Sequence, residues 1–239
     1  MADRYGESMN LDDLLAEFIA NHEIPIFGIA NSKGFTKAQP GWHPKELMPK
    51  CESVIVFGRQ YIKHPLQIDE KTHLANESWW KANRIVLEQI ANWKGSLVSF
   101  FDSFGLGVAS FGGFFLAIAS TFSYRLVQVE AGVGVYGRTG VCINSSYGCY
   151  YHVDSLLTEA ELTPTGQQYP DNFNPCKECS ECAKACPVRA IDATKQPGVG
   201  YDRELCARFI LRMKERHGIA AKICGRCFSI CPWSMGRIS

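Results

Sequence analysis

Apolar residues recur at helical spacing near the start of the chain. Leu11, Leu14, Leu15, Phe18 and Ile19 share one face of the segment 11–20, with Asn10 placed to cap it. The next apolar run, IPIFGIA at 24–30, is short and unbroken, as a buried strand is. Residues 31–50 are rich in Gly, Pro and Lys and read as a loop. SVIVFG at 53–58 is the clearest strand, a β-branched run closed by glycine. A helix is predicted over 77–94, followed by a strand, LVSFF, at 97–101. The uncharged stretch 103–124, SFGLGVASFGGFFLAIASTFSY, has the length of a membrane span. Gly105, Gly107, Gly112 and Gly113 interrupt it, and no Lys/Arg cluster flanks it. It reads as a buried strand, a glycine turn and the start of a helix. Alternating helices and strands predict an α/β or α+β core.

The texture changes after residue 130. Gly132, Gly134, Gly137, Gly140 and Gly148 fall between Ala131 and Cys149. Glycine at this density marks backbone that turns sharply or lies close to a ligand. Pro164, Gly166, Pro170 and Pro175 then break the chain, which places a domain boundary between 1–165 and 166–239. Charge divides with it: residues 176–239 carry 12 basic and 6 acidic side chains, residues 1–175 carry 13 and 18. The whole chain is at +1, so no general basic field asks for nucleic acid. The N-terminus shows neither a basic–apolar secretion signal nor a twin-arginine pair, which points to the cytoplasm.

Eight of the 11 cysteines lie between Cys176 and Cys231. In a reducing compartment such clustering points to metal or redox chemistry rather than disulfides. Cys176-x2-Cys179-x2-Cys182-x3-Cys186-Pro187 is the run of bacterial two-cluster ferredoxins, whose fourth cysteine serves the other cluster. Cys224-x2-Cys227-x3-Cys231-Pro232 repeats it without a near first cysteine, a role that Cys206 can fill. The ferredoxin rule therefore assigns Cys176, Cys179, Cys182 and Cys231 to one [4Fe–4S] cluster, and Cys186, Cys206, Cys224 and Cys227 to the other. Structural zinc prefers separated C-x2-C pairs and would waste ligands here. Two clusters, each at −2 with its thiolates, also offset the basic excess of this segment. Between Cys206 and Cys224 a helix is expected, capped by Asp202, ended by Gly218 and apolar at Leu205, Phe209 and Met213. Cys51, Cys142 and Cys149 read as buried small hydrophobes. Trp79 and Trp80 point to different sides of their helix, so at most one lines a pocket.

The order AGVGVYGRTGVCINSSYG, LLTEAEL, the first cysteine run, YDRELCARFI and CGRCFSICPW resembles the epoxyqueuosine reductase and reductive dehalogenase superfamily. HPKELMPKCESVIVFGRQYI is similar to an earlier region of the same proteins. The resemblance covers most of residues 12–236. It implies a nitroreductase-like, cobalamin-binding α/β (α+β) domain fused to a two-cluster ferredoxin-like domain. It also implies that Gly132, Gly134, Gly137, Arg138, Tyr147 and Gly148 lie nearest the corrinoid. Epoxyqueuosine reductases carry an acid Asp ahead of the glycine segment, whereas this chain reads IASTFSYRLVQVE there. Dehalogenases use a Tyr as proton donor, which makes Tyr124, with Arg125, the catalytic candidates. The chain stops eight residues after Cys231, without the C-terminal extension that grips tRNA.

The leading expectation is a cytoplasmic corrinoid-dependent iron–sulfur reductase acting on a small molecule and fed by an external donor such as ferredoxin or flavodoxin. The alternatives are an electron-transfer or reactivating partner of another corrinoid protein, and the same fold with flavin in place of cobalamin.

Overall fold

The computed structural model describes residues 10–63, 66–71, 74–75, 77–110, 124–218 and 223–234. Helix α1 spans Leu11–Asn21, and the Asn10 side chain accepts from the Asp13 amide at 2.9 Å, as its N-cap position required. Strand β1 is Ile26–Asn31. The segment read as a loop carries a 3-10 turn at Ser32–Gly34 and a four-residue helix α2, Pro44–Leu47, closed by a His43–Glu46 capping box. Strand β2 is Ser53–Gln60.

Helix α3 spans Glu77–Asp102 and absorbs both the helix expected at 77–94 and the strand expected at 97–101. The strand reading is therefore corrected. Val86, Ile90, Trp93, Leu97 and Phe101 are all buried and continue one three- and four-residue rhythm. LVSFF supplies two steps of that stripe, and packing along the stripe overrides its local β propensity. Strand β3 is Val108–Ala109 and helix α4 is Tyr124–Glu130, so the expected strand and helix bracket the uncharged stretch. The glycine turn expected at 112–113 lies outside the described residues. Among the described residues, no helix is long and apolar enough to cross a membrane.

Two short strands, β4 (Val135–Tyr136) and β5 (Cys142–Ile143), form a ribbon, and β6 is Tyr151–Thr158. The main sheet runs β1-β2-β6-β3 with every pairing antiparallel, which makes this part α+β. In the central strand β2, Ile55 and Phe57 join the core beneath α3, and Val54 and Val56 join the core beneath α4. Covering on both faces explains why this strand reads as an unbroken apolar run.

The C-terminal segment holds α5 (Glu181–Ala185), α6 (Arg203–His217) and α7 (Arg226–Ile230). Asp202 caps α6 through the Leu205 amide at 2.8 Å, and Gly218 ends it in the left-handed region at φ 59°. Gly95 tests the corrected helix directly, being exposed in mid-α3 with nothing near the position of a Cβ. Gly95→Ala is expected to stabilise the protein by about 0.5–1 kcal/mol in chemical denaturation, because alanine restricts the unfolded chain and favours helix. A loop ahead of a strand would give no such gain.

Candidate functional site

Helices α5 and α7 are built alike. Each carries a cysteine in its first turn, Cys182 and Cys227, and another at its C-cap, Cys186 and Cys231. The two helices pack against each other. Cys176, Cys179, Cys182 and Cys231 line one small hollow, together with Arg138 and Trp233. Cys186, Cys206, Cys224 and Cys227 line a separate, larger cleft. The eight cysteines thus divide into two quartets, and each helix passes its C-cap cysteine to the other quartet. Burial, with the neighbouring Cys176, Cys231 and Cys179 adding repulsion, pushes the Cys182 thiol up to about 11. Burial raises Cys227 further, with Cys206 and Cys224 the nearest like charges. Among the described residues, no three of His, Cys, Asp and Glu converge closely enough to hold a single metal ion.

The cleft encloses about 440 Å³. Strand β6 and helix α4 form one wall, through Tyr151, His152, Asp154, Tyr124 and Arg125. Helix α6 and the second quartet form the opposite wall. The Tyr124 hydroxyl donates to Asp154 Oδ1 at 3.3 Å, and Lys94 Nζ of α3 holds Asp154 Oδ2 at 2.9 Å. Burial and the Asp154 charge keep the Tyr124 phenol protonated far above its ordinary range. A hydrogen bond at 3.3 Å links the Tyr61 hydroxyl to His152 Nδ1. Burial lowers His152 to about 4 against the opposing pull of Asp154, so the ring is neutral at pH 7. Trp79 lines the cleft and donates to the Tyr150 hydroxyl, while Trp80 is outside the lining.

The glycine segment serves mainly to let strands and turns approach. A side chain at Gly132 (φ 69°) would overlap the Gly166 carbonyl, and the Gly132 carbonyl accepts from the Gln168 amide at 2.9 Å. Gly134 and Gly137 back onto the carbonyls of Ile143 and Val141. Gly148 closes a turn with Asn144, whose side chain also accepts from the Tyr147 amide. Gly132, Gly134, Gly137, Tyr147 and Gly148 are not among the described cleft lining. Arg138 reaches away from the cleft and bonds the carbonyls of Cys176 at 3.2 Å and Ala193 at 2.9 Å, and also that of Lys195. It pins the loop of the first quartet. The same segment meets the cleft through Thr139, Gly140 and Val141 instead.

Cys51 and Cys142 are buried and donate to the carbonyls of Ser53 at 3.3 Å and Arg125 at 3.5 Å, and the Thr158 backbone also bonds the Cys51 sulfur. Cys149 differs. It packs with Cys176 and Cys231, its thiol is hydrogen-bonded to Cys231, and its amide donates to the Trp233 carbonyl at 3.0 Å. Its partner lies 82 positions away, beyond the reach of any spacing rule.

No family model matches the chain. An epoxyqueuosine reductase from Francisella cf. novicida is 23% identical over 207 residues, covering 80% of this chain and 55% of that protein. A tetrachloroethene reductive dehalogenase from Desulfitobacterium hafniense is 28% identical over 119 residues, 45% of this chain and 21% of that one. The chain therefore spans about half the length of the first relative and less of the second. The solved epoxyqueuosine reductase from Bacillus subtilis superposes with a TM-score of 0.63 at 18% identity, covering 95% of this chain and 67% of its own. A catabolic reductive dehalogenase superposes with a TM-score of 0.70 at 16% identity, covering 99% of this chain and 34% of its own. Both branches of the resemblance read from the motifs are met.

His152 makes the cleft acid-sensitive. Its native pKa lies below the unfolded value, so its contribution is complete above about pH 6.5 and is lost as pH falls towards 4. His152→Gln is expected to remove on the order of 3 kcal/mol of the stability difference between pH 7 and pH 4.5, read by denaturant titration of wild type and variant at both values.

Proposed function

We propose that this chain is an iron–sulfur reductase whose cleft takes a corrinoid beside the second cysteine quartet and reduces a small-molecule substrate there. The observation that carries this reading is the cleft itself, with four thiols on one wall and a protonated phenol on the other. Four cysteines around each hollow, half of the eight buried and half partly exposed, suit a cluster bound at its corners. The relatives are reductases by name, and one similar structure, with a TM-score of 0.66 at 16% identity, belongs to a dehalogenase described as B12-dependent. When bound, the clusters supply single electrons and the corrinoid a strongly reducing centre.

The chain's own residues then divide the work. Cys176, Cys179, Cys182 and Cys231 hold one [4Fe–4S] cluster, and Cys186, Cys206, Cys224 and Cys227 hold the one that faces the cleft. Residues 1–165 form the nitroreductase-like domain and 166–239 the ferredoxin-like one, with Arg138 fastening the second to the first. Tyr124 holds a proton at its hydroxyl for the reduced substrate, and the Lys94–Asp154 pair orients it. A soluble cytoplasmic donor such as ferredoxin or flavodoxin refills the clusters.

Anaerobically reconstituted protein is expected to hold about eight irons, and Cys182→Ala or Cys224→Ala about four each. Adding cobalamin should change the visible spectrum, and extraction of the native cofactor should yield a corrinoid. Extracted flavin, or electron delivery to a partner protein without corrinoid binding, overturns the reading. One relative was solved with an epoxyqueuosine-modified tRNA stem loop, so such a stem loop is assayed beside small halogenated and epoxide substrates. Turnover of the stem loop alone corrects the substrate class. Tyr124→Phe is expected to slow turnover roughly 100-fold or more, with cluster and corrinoid spectra unchanged.

A further inference from the structure

The cleft is lined by four permanent cations, Arg125, Arg203, Lys214 and Arg226, and among the described lining residues by a single carboxylate, Asp154. That carboxylate is already engaged by Lys94 and Tyr124. Arg226 adjoins the second quartet and eases the Cys224 thiol downward against its burial. Arg125 likewise pulls against the burial of the Cys142 thiol and the Tyr201 phenol, and neither it nor Arg203 has that role at the quartet. They come from α4 and α6, on opposite walls, and each guanidinium feels the other as a repelling charge. Among the described residues neither takes part in an ion pair. The acids beside Arg203 are committed elsewhere: Asp202 caps α6, and Glu204 pairs with Arg208 at 3.6 Å. Arg203 Nη2 is shut off from solvent and has no hydrogen-bond partner. A buried guanidinium nitrogen left unpaired beside a second guanidinium is costly, and an anion bridging both removes that cost.

We propose that Arg125 and Arg203 form an anion subsite of the cleft, which takes a phosphate or carboxylate carried either by the nucleotide tail of a corrinoid or by the substrate. The choice between those carriers rests on the corrinoid reading; the subsite itself does not. Planar guanidinium forks suit both oxyanions, and their position on opposite walls makes the bound anion a bridge between the α+β part and helix α6.

The test uses cluster-loaded, corrinoid-free protein with inorganic phosphate as probe, read by calorimetry. Wild type is expected to bind phosphate, R125Q and R203Q to bind it about tenfold more weakly or worse, and Arg203→Lys to keep part of the affinity. Unchanged cluster absorption and melting temperature show that the variants are folded. Equal phosphate affinity in wild type and both Gln variants overturns the subsite, as does a changed cluster midpoint potential with no change in phosphate affinity. A second arm compares cobalamin with cobinamide, which lacks the nucleotide tail. Loss of cobalamin affinity alone in R203Q assigns the anion to the corrinoid. Unchanged affinity for both, with phosphate binding lost, assigns it to the substrate. Phosphate binding that depends on both arginines in a protein that takes up neither corrinoid refutes the corrinoid reading and upholds the subsite.

Discussion

The exchange of C-cap cysteines between α5 and α7 is the constraint on which the rest of the arrangement depends. Neither five-residue helix would persist alone, since so short a segment has barely paid its nucleation cost. Packed together they bring eight thiols into two quartets, and each quartet needs both helices. A cluster bound at either quartet would therefore tie down both helices and the loops that precede them. Around this knot the chain adds supports from far away in sequence. Arg138 bonds carbonyls in the first cysteine loop and in the segment after α5, Phe228 of α7 stacks on Tyr150 at 5.3 Å, and Cys149 touches Cys231. The knot is in this way fastened to the sheet, through residues placed just before β6.

That fastening decides where the cleft lies. Strand β6 pairs with both β2 and β3, so its position is fixed from two sides. It carries His152 and Asp154 into the cleft, while Leu156 and Leu157 are sunk in the two cores. A strand with polar residues at one end and apolar ones at the other gives the cleft a rigid wall, and a rigid wall keeps Tyr124 and the second quartet in register. The glycine segment contributes indirectly, by letting β4, β5 and the 165–168 loop close on one another behind that wall.

How much of this was legible in the chain follows from the distance over which each feature is encoded. The cysteine runs and the caps of α1 and α6 are written within a few residues, and a rule of spacing reads them. The continuation of α3 through Leu97 and Phe101 is hidden, because a run of four apolar residues in five, LVSFF, satisfies both a strand and one stripe of a helix. Only the face that α3 presents to the sheet resolves it. Asp154 and Cys149 were illegible for a different reason. Their partners Lys94 and Cys231 are 60 and 82 residues away, and nothing local distinguishes a buried aspartate that holds a tyrosine from one on the surface. The density of glycine is plain in the chain, but density does not tell whether a ligand or the chain's own backbone occupies the space beside each Cα.

The two walls of the cleft impose a separation of charge flow. The second quartet lines the cleft and the first lines its own hollow, so on the proposed reading electrons would reach the cleft from the second quartet. Protons have a different route on the opposite wall. Lys94 is partly open to solvent, with 30% of its side chain exposed, and it holds the buried Asp154, which in turn accepts from Tyr124. A reductive step that consumes both must therefore meet them between the walls, where a neutral His152 adds no competing acid. This geometry also explains why the phenol is held by a carboxylate rather than a cation. A cation would promote its ionisation, whereas Asp154 keeps the proton in place until a stronger base forms in the cleft.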